Sequence, residues 1–486
     1  MTSVSLQFLT QEEKDKIHES ALTLLEKVGL RIMEPEALDI LAGAGAHVDR
    51  GTHRVRFPAP VVEKALKSSP SEFKLYGRDP FGQHVIDLRP GNVYYNTNGY
   101  AVHWYDPDGR VRRPIKQEDL AWITRLADAQ DQMDVLSVIG TPVDAPAETN
   151  DRYQLAITLL NTTRHVWANA YGKQGVRDAV EIAARVRGSG SPLSSQGGRE
   201  ALRQYPLFTL DTTTLSPLEL DTRQSTIMIE GARQGLPIGI SPGPIGGATG
   251  PVTLAGNVTQ ANAELLAAIT LVQCTQPGTR VVYTQYSRSL DMSTGRLAMG
   301  GPEFSMQRVA TAEMASYYRL PSRGGGMIAD GKAVDAQTGA EKMMNCLMPS
   351  LAGLNIVAGI GMVDFINTAR PEMFPIDNEI IRMVRHILKG FAVNDETIPL
   401  DVMAEVGPGG NFLTTDHTLE HFREELWFTR LWDRKPWDVW EKEGAHEIAE
   451  RAWAKIKADK HVVPPLPQDV QTAIWEVVHR ADMDHA

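Results

Sequence analysis

The sequence predicts an α/β fold, a (β/α)8 barrel of the TIM type with an N-terminal helical extension and C-terminal helices. The first observation is that short apolar or β-rich runs alternate with helical stretches, which is typical of parallel β/α units. The second is that this pattern repeats about seven times, which favours a closed barrel over a doubly wound sheet. The runs begin near residues 134, 165, 207, 237, 280, 320 and 354.

A helical layer is predicted ahead of the barrel. Thr10 and Glu13 have the spacing of a capping box, and apolar residues then recur with a helical period until Gly29. After two further helices, short alternating runs around the turn dipeptide Asp108-Gly109 predict a hairpin. The predicted divisions are an N-terminal helical layer at 1–90, a hairpin and connecting segment at 91–130, the barrel at 131–410 and C-terminal helices at 411–486.

Composition limits the classes of function. Among 486 residues, 42% are hydrophobic and 22% charged, as in an ordinary globular protein. The net charge is −11 and no basic run occurs, so nucleic acid is not expected as a partner. The N-terminus lacks a basic and apolar leader, and no segment is apolar enough to span a membrane. Cys274 and Cys346 have no disulfide or metal-ligand spacing, so we expect a cytoplasmic protein without a metal site.

The residues at the ends of the predicted strands are aromatic, acidic or amide-bearing, with one arginine. In a TIM-type barrel the catalytic groups lie at the carboxyl ends of the strands, which form the mouth of the barrel. Aromatic rings beside acids and an arginine suit a small organic cation that bears a carboxylate. The residues concerned are Trp167, Asn169, Tyr171, Asp211, Thr213, Tyr283, Tyr286, Ser287, Asp291, Arg323, Asp330, Asp364 and Phe365.

The glycine-rich stretch GPIGGATG, residues 243–250, resembles a phosphate-binding loop only superficially. It lacks the Gly-Lys-Ser/Thr ending of a Walker A loop, and its spacing differs from G-x-G-x-x-G. One interpretation is a close-packed loop at the rim of the barrel. The other is direct contact with a ligand, or with a cofactor carried by a partner, through backbone amides.

Several motifs, in order, resemble those of the trimethylamine methyltransferase family. They are TNGYAVHWYDPDGRVRRPIKQEDL, GPIGGATGPVTLAGNVTQANAE, YTQYSRSLDMSTGRLAMGGPE, LPSRGGGMIADGKAVDAQTGAEK and VGPGGNFLTTDHTLEHFREELWF. The resemblance extends from about residue 10 to about residue 455. It implies a barrel enzyme that moves a methyl group from an amine to the cobalt of a separate corrinoid protein. It also implies a homo-oligomer that binds no cofactor tightly itself.

The sequence departs from the founding trimethylamine enzymes because it contains no pyrrolysine. It therefore resembles the non-pyrrolysine branch, which implies a quaternary amine such as glycine betaine as the substrate. A quaternary nitrogen is already cationic and leaves as a neutral amine when a methyl group is displaced, so a residue that activates a tertiary amine is dispensable.

This resemblance gives roles to the strand-end residues. The aromatic residues expected to hold the cation are Tyr100, Trp167, Tyr171, Tyr283, Tyr286 and Phe365. The donors expected to bind a carboxylate are Arg323, Asn169 and His165. The acids expected to orient these donors or face the cation, as catalytic residues, are Asp330, Glu303 and Asp291. The glycines of rim loops expected to face the corrinoid are Gly246, Gly247, Gly409 and Gly410.

Each assignment has an alternative in the residues themselves. The aromatic side chains are also compatible with core packing, Asp291 with a turn cap, and Arg323 with a structural salt bridge. His417 and His421, four residues apart, are compatible with a metal site or with a surface helix. At the level of function, the alternatives are a non-catalytic betaine-binding relative, a methyltransferase for a different methylated amine, and a metal-dependent lyase.

Overall fold

The N-terminal part of the chain is a mixed α/β layer rather than the predicted helical one. In the computed structural model, the described residues are 5–106, 110–188, 197–443 and 447–485. The predicted capping box is present, since the Thr10 hydroxyl accepts a hydrogen bond from the Glu13 N–H at 3.2 Å. The layer comprises α1 (Gln11–Lys27), β1 (Leu30–Ile32), α2 (Pro35–Gly43), β2 (His47–Asp49), β3 (Arg54–Arg56), α3 (Ala59–Ser68), β4 (Phe73–Tyr76) and β5 (Val85–Leu88).

The central part of the chain forms a closed barrel of eight parallel strands. The elements of this part are β6 (Tyr94–Thr97), β7 (His103–Asp106), β8 (Val111–Pro114), α4 (Gln117–Asp128), β9 (Val135–Ser137), α5 (Asn150–Leu160), β10 (His165–Ala168), α6 (Gly172–Arg187), α7 (Gly198–Gln204), β11 (Phe208–Thr212), β12 (Glu219–Leu220), α8 (Thr222–Gln234), β13 (Ile238–Ile240), β14 (Ile245–Gly246), α9 (Leu254–Thr275), β15 (Val281–Gln285), β16 (Arg288–Asp291), β17 (Arg296–Ala298), α10 (Pro302–Tyr318), β18 (Ser322–Gly325), α11 (Ala336–Leu351), β19 (Ile356–Ile360), β20 (Met362–Val363), β21 (Thr368–Ala369) and α12 (Met373–Lys389).

The order of strands around the barrel is β6, β9, β10, β11, β13, β15, β18 and β19, which closes on β6. All seven predicted runs are barrel strands, so the predicted fold class is confirmed. The eighth strand, β6, lies in the segment that was expected to be a hairpin and connection. The barrel therefore begins at Tyr94, earlier than the predicted boundary at residue 131. A hairpin does follow, formed by β7 and β8, and its predicted turn at Asp108-Gly109 lies outside the described residues.

The amino end of the barrel is filled by the hairpin of β4 and β5. Leu75, Ile86 and Leu88 of this hairpin form one buried cluster with inward side chains of the barrel, including Val135 and Val282. The hairpin fills the amino end, so we expect the site at the carboxyl end of the strands, here called the mouth, where barrels of this type hold their catalytic groups.

The remaining helices follow the barrel. They are α13 (Leu400–Val406), α14 (Asp416–Glu425), α15 (Trp437–Glu443), α16 (Ile448–Ala458) and α17 (Gln468–His485). Helix α16 packs on α12, and α17 packs on α5 and α6. By contrast, α13, α14 and α15 have no buried side chain. None of the described helices combines the length and the apolar character needed to cross a bilayer.

Candidate active site in the mouth of the barrel

Alternation along the strands decides which side chains enter the barrel. Trp167 on β10 is buried and packs with Val282 and Ile356, which come from strands across the barrel. Gly239 of β13 faces the same ring, and a Cβ atom there would collide with it. Trp167 therefore lies inside the barrel, and the inward side chains nearer the carboxyl ends of the strands form the floor of the mouth.

Arg323 on β18 occupies this floor. Its guanidinium carbon lies 4.3 Å from the centroid of the Trp167 ring, and one terminal nitrogen donates to Ser137 Oγ at 3.4 Å. The Nε atom is buried without a hydrogen-bond partner. No carboxylate of the described residues lies within salt-bridge distance of Arg323, so the alternative of a structural salt bridge is not observed. The side chain is a buried cation held by stacking.

Asp211 on β11 lies beside this cation without forming an ion pair with it. Ser241 Oγ donates to Asp211 Oδ1 at 3.3 Å. Burial raises the pKa of the Asp211 carboxyl, while the charge of Arg323 and the nearby polar hydrogens of Trp167, Ser241 and Tyr100 oppose this effect. The floor of the mouth therefore holds one partly buried acid and one buried cation as separate charged groups.

Two tyrosines border the charged pair. The Tyr286 ring packs over Gly325, and its centroid lies 5.7 Å from the guanidinium carbon of Arg323. Tyr100 has a positive φ of 69°, an uncommon conformation for a residue other than glycine. Burial raises the pKa of both phenols, and both interact electrostatically with Asp211. Both hydroxyl groups are buried without a well-formed hydrogen bond. The two hydroxyl groups therefore add polar atoms beside the aromatic rings that border Asp211 and Arg323.

Side-chain amides add further polar groups around the same space. Asn169 Oδ1, Asn96 Nδ2 and Asn98 Nδ2 are buried and have no hydrogen-bond partner. Asn96 is linked to Arg323 through Ser137, and Asn169 lies beside Tyr100. Buried polar atoms in native proteins are nearly always paired, so unpaired atoms beside these groups are characteristic of a binding site. Of the substrate-binding residues predicted from the sequence, the structure brings together Arg323, Tyr286, Tyr100, Asn169 and Trp167.

Tyr283 and His165 differ from their predicted positions. Tyr283 lies outside the barrel wall, where its hydroxyl donates to Asn262 Oδ1 of α9 at 2.8 Å. Its neighbour Val282 faces inward, and successive side chains of a strand point to opposite faces. His165 lies at the plugged end, with Nε2 2.9 Å from Thr209 Oγ1, and burial lowers the pKa of its ring to about 3. Neither side chain reaches the mouth.

The rings of three aromatic residues predicted to bind the substrate cation lie against arginine side chains of the protein. They are Tyr171, Trp167 and Phe365. Arg223 stacks on Tyr171 with its guanidinium carbon 4.3 Å from the ring centroid, and Arg323 stacks on Trp167 in the same way. Phe365 belongs to an apolar cluster against which Tyr286 also packs, and it is flanked by Arg296 at 5.5 Å. Of the predicted aromatic residues, Tyr100 and Tyr286 are best placed to meet a substrate cation, because both lie close enough to Asp211 to interact with its carboxylate.

The three acids predicted to be catalytic lie apart from the charged pair. Asp291 accepts hydrogen bonds from Ser293 and Thr294, which lower the pKa of its carboxyl to about 2, so it caps a turn. Glu303 is exposed on the first turn of α10. The Asp330 carboxylate accepts the Met299 N–H at 2.9 Å and so anchors the loop after β17. Burial raises the pKa of Asp330.

The two predicted glycine loops lie in different parts of the chain, one in the rim of the barrel and one beyond its last helix. Gly246 is buried in β14 at the mouth, whereas Gly247 is exposed at the tip of this rim loop with a φ of 93°. The helix after this loop, α9, begins only at Leu254. Gly409 and Gly410 belong to a segment that starts after the last residue of α12. Barrel helices run antiparallel to the strands, so this segment leaves the barrel at its plugged end, away from the mouth.

His417 and His421 lie together on α14, with ring centroids 4.4 Å apart. His421 Nε2 lies 3.9 Å from the Glu396 carboxylate. Among the residues that the structure describes, no group of three or more His, Cys, Asp or Glu side chains could hold a metal ion.

The importance of Asp211 was only partly visible in the sequence. The run LFTLDTTT places an acid at the end of an otherwise apolar strand, and this was a usable signal. Asn96 and Asn98 were missed because the strand that carries them was interpreted as part of a hairpin. The side-chain alternation of YYNTN fits either structure equally well.

Comparison with known proteins decides the family. The sequence profile described as "Trimethylamine methyltransferase (MTTB)" matches residues 2–485. The chain belongs to the trimethylamine methyltransferase family. As a family member it is a methyltransferase, which confirms the resemblance and the reaction class predicted from the motifs.

Two relatives illustrate the range of this family. The chain is 33% identical over 478 residues to the trimethylamine methyltransferase of Desulfitobacterium hafniense strain DCB-2, covering 98% of this chain and 94% of that protein. It is also 33% identical over 471 residues to the glycine betaine methyltransferase of D. hafniense strain Y51, covering 96% of this chain and 95% of that protein. The crystal structure of the Methanosarcina barkeri monomethylamine methyltransferase shares the fold, with a TM-score of 0.53, 12% identity, and coverage of 94% of this chain and 90% of that one.

Proposed function

We propose that this member of the trimethylamine methyltransferase family transfers a methyl group from a quaternary amine that bears a carboxylate, such as glycine betaine, to the corrinoid of a partner protein. The observation that carries the proposal is the pair of separate charges on the floor of the mouth, the partly buried Asp211 and the buried Arg323. A zwitterion has the complementary charges. A methylated amine without a carboxylate carries only a positive charge, so it complements Asp211 but not Arg323.

Arg323 is the group proposed to bind the substrate carboxylate. A guanidinium matches a carboxylate in geometry, and a charge-assisted hydrogen bond is roughly twice as strong as a neutral one. The Trp167 ring and Ser137 hold the guanidinium plane, so little side-chain freedom is lost when the carboxylate binds. Asn169, with its unpaired amide oxygen beside this space, is proposed to orient the substrate or its bound water.

Asp211, Tyr100 and Tyr286 are proposed to bind the methylated nitrogen. A quaternary ammonium group has no N–H to donate, so its recognition depends on charge and on aromatic surface. Asp211 supplies the charge, and the two phenol rings supply surface worth about 0.5–2 kcal/mol for each favourable contact. This assignment leaves Asp291, Glu303 and Asp330 in the structural positions described above.

The glycine-rich rim loop fits a large ring brought by a partner. Gly247 is exposed at its tip, and the nearby side chains Val252 and Met292 are 67% and 73% exposed, which gives an open apolar rim. When bound, the corrinoid supplies the reduced cobalt that accepts the methyl group, while the substrate nitrogen keeps its electron pair and leaves as a neutral tertiary amine. The residues of this chain then need only position the substrate and exclude water.

The charged pair also favours an amine that bears a carboxylate over trimethylamine. The two relatives named above have the same identity to this chain, so sequence similarity does not distinguish their substrates. The chain contains no pyrrolysine. Trimethylamine has no carboxylate, so it offers Arg323 no group to bind. We further propose that the protein is a cytoplasmic homo-oligomer without a tightly bound cofactor of its own, as the resemblance and the two free cysteines suggest.

The test is a methylation assay with the purified chain, free cob(I)alamin and a panel of methylated amines, followed by the visible spectrum of methylcob(III)alamin. Product formation with glycine betaine or a close analogue, unaffected by a chelator, supports the proposal. Inhibition by the chelator would point to a metal-dependent enzyme. Binding of glycine betaine that raises the melting temperature, without transfer to cob(I)alamin or to a corrinoid protein, would indicate a non-catalytic binder.

A further inference from the structure

We propose that residues 391–428, here called the arm, form the surface through which two copies of this chain associate. The arm contains α13 and α14, neither of which has a buried side chain. Ten large apolar side chains of the arm are between 43% and 73% exposed. They are Phe391, Val393, Ile398, Leu400, Met403, Phe412, Leu413, Leu419, Leu426 and Phe428.

The amount of exposed apolar surface is the first argument. At these exposures, ten large side chains present on the order of 1,000 Å². A monomeric protein rarely leaves a contiguous apolar patch of more than a few hundred Å² in water. A standard interface buries about 800 Å² on each partner. The arm alone therefore carries enough surface for a stable interface.

The shortness of the helices is the second argument. Helix α13 has 7 residues and α14 has 10. Isolated helices shorter than about 12–15 residues are marginal in water, and protein helices gain most of their stability from burying an apolar face. Within one copy the arm is fastened by polar contacts near its end, such as Lys389 Nζ to the Glu424 carbonyl at 3.0 Å. Burial of its apolar side chains requires another molecule.

The position of the arm identifies that molecule as a second copy. The Asp377 carboxylate, on the first part of α12, accepts the Gly361 N–H just after β19 and therefore marks the mouth end of this helix. Lys389, which holds the arm, lies 12 residues further along, or roughly 18 Å at 1.5 Å per residue. A corrinoid protein at the mouth does not cover a surface at the other end, and this step rests on the proposed function.

The charge of the arm limits how the copies meet. It contains eight Asp and Glu residues and only one Arg, in a chain whose net charge is −11. Two such arms repel each other, so each arm is expected to pack on the body of the other copy, in a closed two-fold arrangement. The acidic charge also disfavours an anionic membrane or a nucleic acid as the occupant.

The experiment is light scattering coupled to size exclusion on the full chain, in 0.1 M and 0.5 M NaCl, over a range of concentrations. The triple variant Leu400→Glu, Leu413→Glu, Leu419→Glu changes exposed arm positions only. The matched control is Val462→Glu, Met483→Glu, which changes exposed apolar residues outside the arm. We expect the wild type and the control to be dimers, or assemblies of dimers, at both salt concentrations. We expect the triple variant to have a mass near 53.5 kDa if it is fully dissociated.

A wild type that is monomeric at all concentrations overturns the proposal, and so does a triple variant that keeps the wild-type mass. Hydrogen exchange of the wild type supplies a readout that does not depend on the variant. Arm amides should be protected at high concentration and lose this protection on dilution, and equal exchange at both concentrations contradicts the interface. A protein that does not transfer methyl groups can still give the expected mass and hydrogen exchange. The interface and the proposed function are therefore tested independently.

Discussion

Arg323 combines three properties that are seldom found together: it is buried, it stacks on an indole, and no carboxylate of the described residues forms a salt bridge with it. Asp211 lies beside this charge without pairing with it, and a buried charge that is not fully paired is costly, which is why we propose that the substrate carboxylate binds here. Replacing Arg323 by Gln removes that charge and the two parallel N–H donors that match a carboxylate.

The first prediction follows from this site. Arg323→Gln should weaken the binding of glycine betaine about 10- to 100-fold, because a hydrogen bond to a charged group contributes about 1.5–3 kcal/mol. Arg323→Lys should give an intermediate loss, since Lys keeps the charge without the planar fork. Isothermal titration measures the affinities. The control is Arg296→Gln at the exposed rim, and an equal loss in this control would argue against a specific carboxylate contact.

Asp211 leads to a second prediction, which concerns the balance between KM and kcat. The substrate nitrogen is positively charged before transfer and neutral afterwards, so a carboxylate beside it stabilises the bound substrate more than the transition state. Asp211→Asn should therefore raise KM at least several-fold while kcat changes little or rises. A fall in kcat at unchanged KM would show that Asp211 acts at the reacting atoms instead.

The second prediction includes a pH dependence, because the pKa of Asp211 is raised. The substrate cation binds the carboxylate form, so binding weakens as the pH falls through the pKa of the free enzyme's Asp211. KM of the wild type should rise toward acid pH, and KM of Asp211→Asn should be nearly flat over the same range. Parallel profiles for the two proteins would assign the titration to another group.

At the scale of single elements, strand β15 shows why some site residues were predictable and others were not. Successive side chains of a strand point to opposite faces, so Tyr283 and Val282 must lie on opposite sides of the barrel wall. The sequence does not reveal which side is inside, because both faces of a barrel strand are apolar. Arg323 was predictable since a charged residue in an otherwise buried strand stands out. The position of Gly409 and Gly410 depends on the path of the chain after α12, which no local pattern encodes.

The position of Tyr283 gives a third prediction. Its hydroxyl donates to Asn262 and accepts from Gln285 Nε2 at 3.0 Å, both buried. Tyr283→Phe should lower the free energy of unfolding by about 1–3 kcal/mol, since it leaves buried polar groups unpaired, and should leave KM unchanged. Urea unfolding and steady-state kinetics test both parts. Tyr286→Leu is the matched variant in the mouth and should raise KM. An increase of KM in Tyr283→Phe would contradict the outward orientation.

A buried ion pair fixes the carboxyl ends of β18 and β19. Lys342 Nζ donates to Asp377 Oδ2 at 2.8 Å and to the Met327 carbonyl at 2.9 Å, and both side chains are fully buried. Burial raises the pKa of the Asp377 carboxyl, and Lys342 opposes this effect. The pair thereby supports the backbone that follows Arg323 and leads into the rim.

The fourth prediction is that Lys342→Met lowers the free energy of unfolding by about 3–5 kcal/mol, because it leaves a buried carboxylate without its cation. Without Lys342, the folded pKa of Asp377 lies further above its unfolded value. The folded state then takes up the proton first, so the deficit should shrink as the pH falls through that folded pKa. Chemical unfolding at several pH values measures this. A second substitution, Asp377→Leu, should restore part of the loss, and additive losses would exclude a coupled pair.

At the scale of the whole molecule, the barrel separates two surfaces. The mouth carries the charged pair and the glycine-rich rim, and the other end is closed by the β4 and β5 hairpin and followed by the arm. Seven of the eight strands were predictable because each precedes a helix of clear amphipathic or buried character. The first strand, Tyr94–Thr97, was not, because the β7 and β8 hairpin separates it from its helix. The strand that closes the barrel was therefore identified only in the structure.

The central claim is that the mouth recognises a zwitterion. The most direct measurement compares initial rates of methyl transfer to cob(I)alamin from glycine betaine, choline and trimethylamine, each at a concentration below its KM. Glycine betaine and choline share the trimethylammonium group, but only glycine betaine has the carboxylate. We predict that glycine betaine reacts at least 10-fold faster than choline, as one charge-assisted contact implies, and that trimethylamine does not react. Equal rates for glycine betaine and choline, or transfer from trimethylamine alone, would contradict the account.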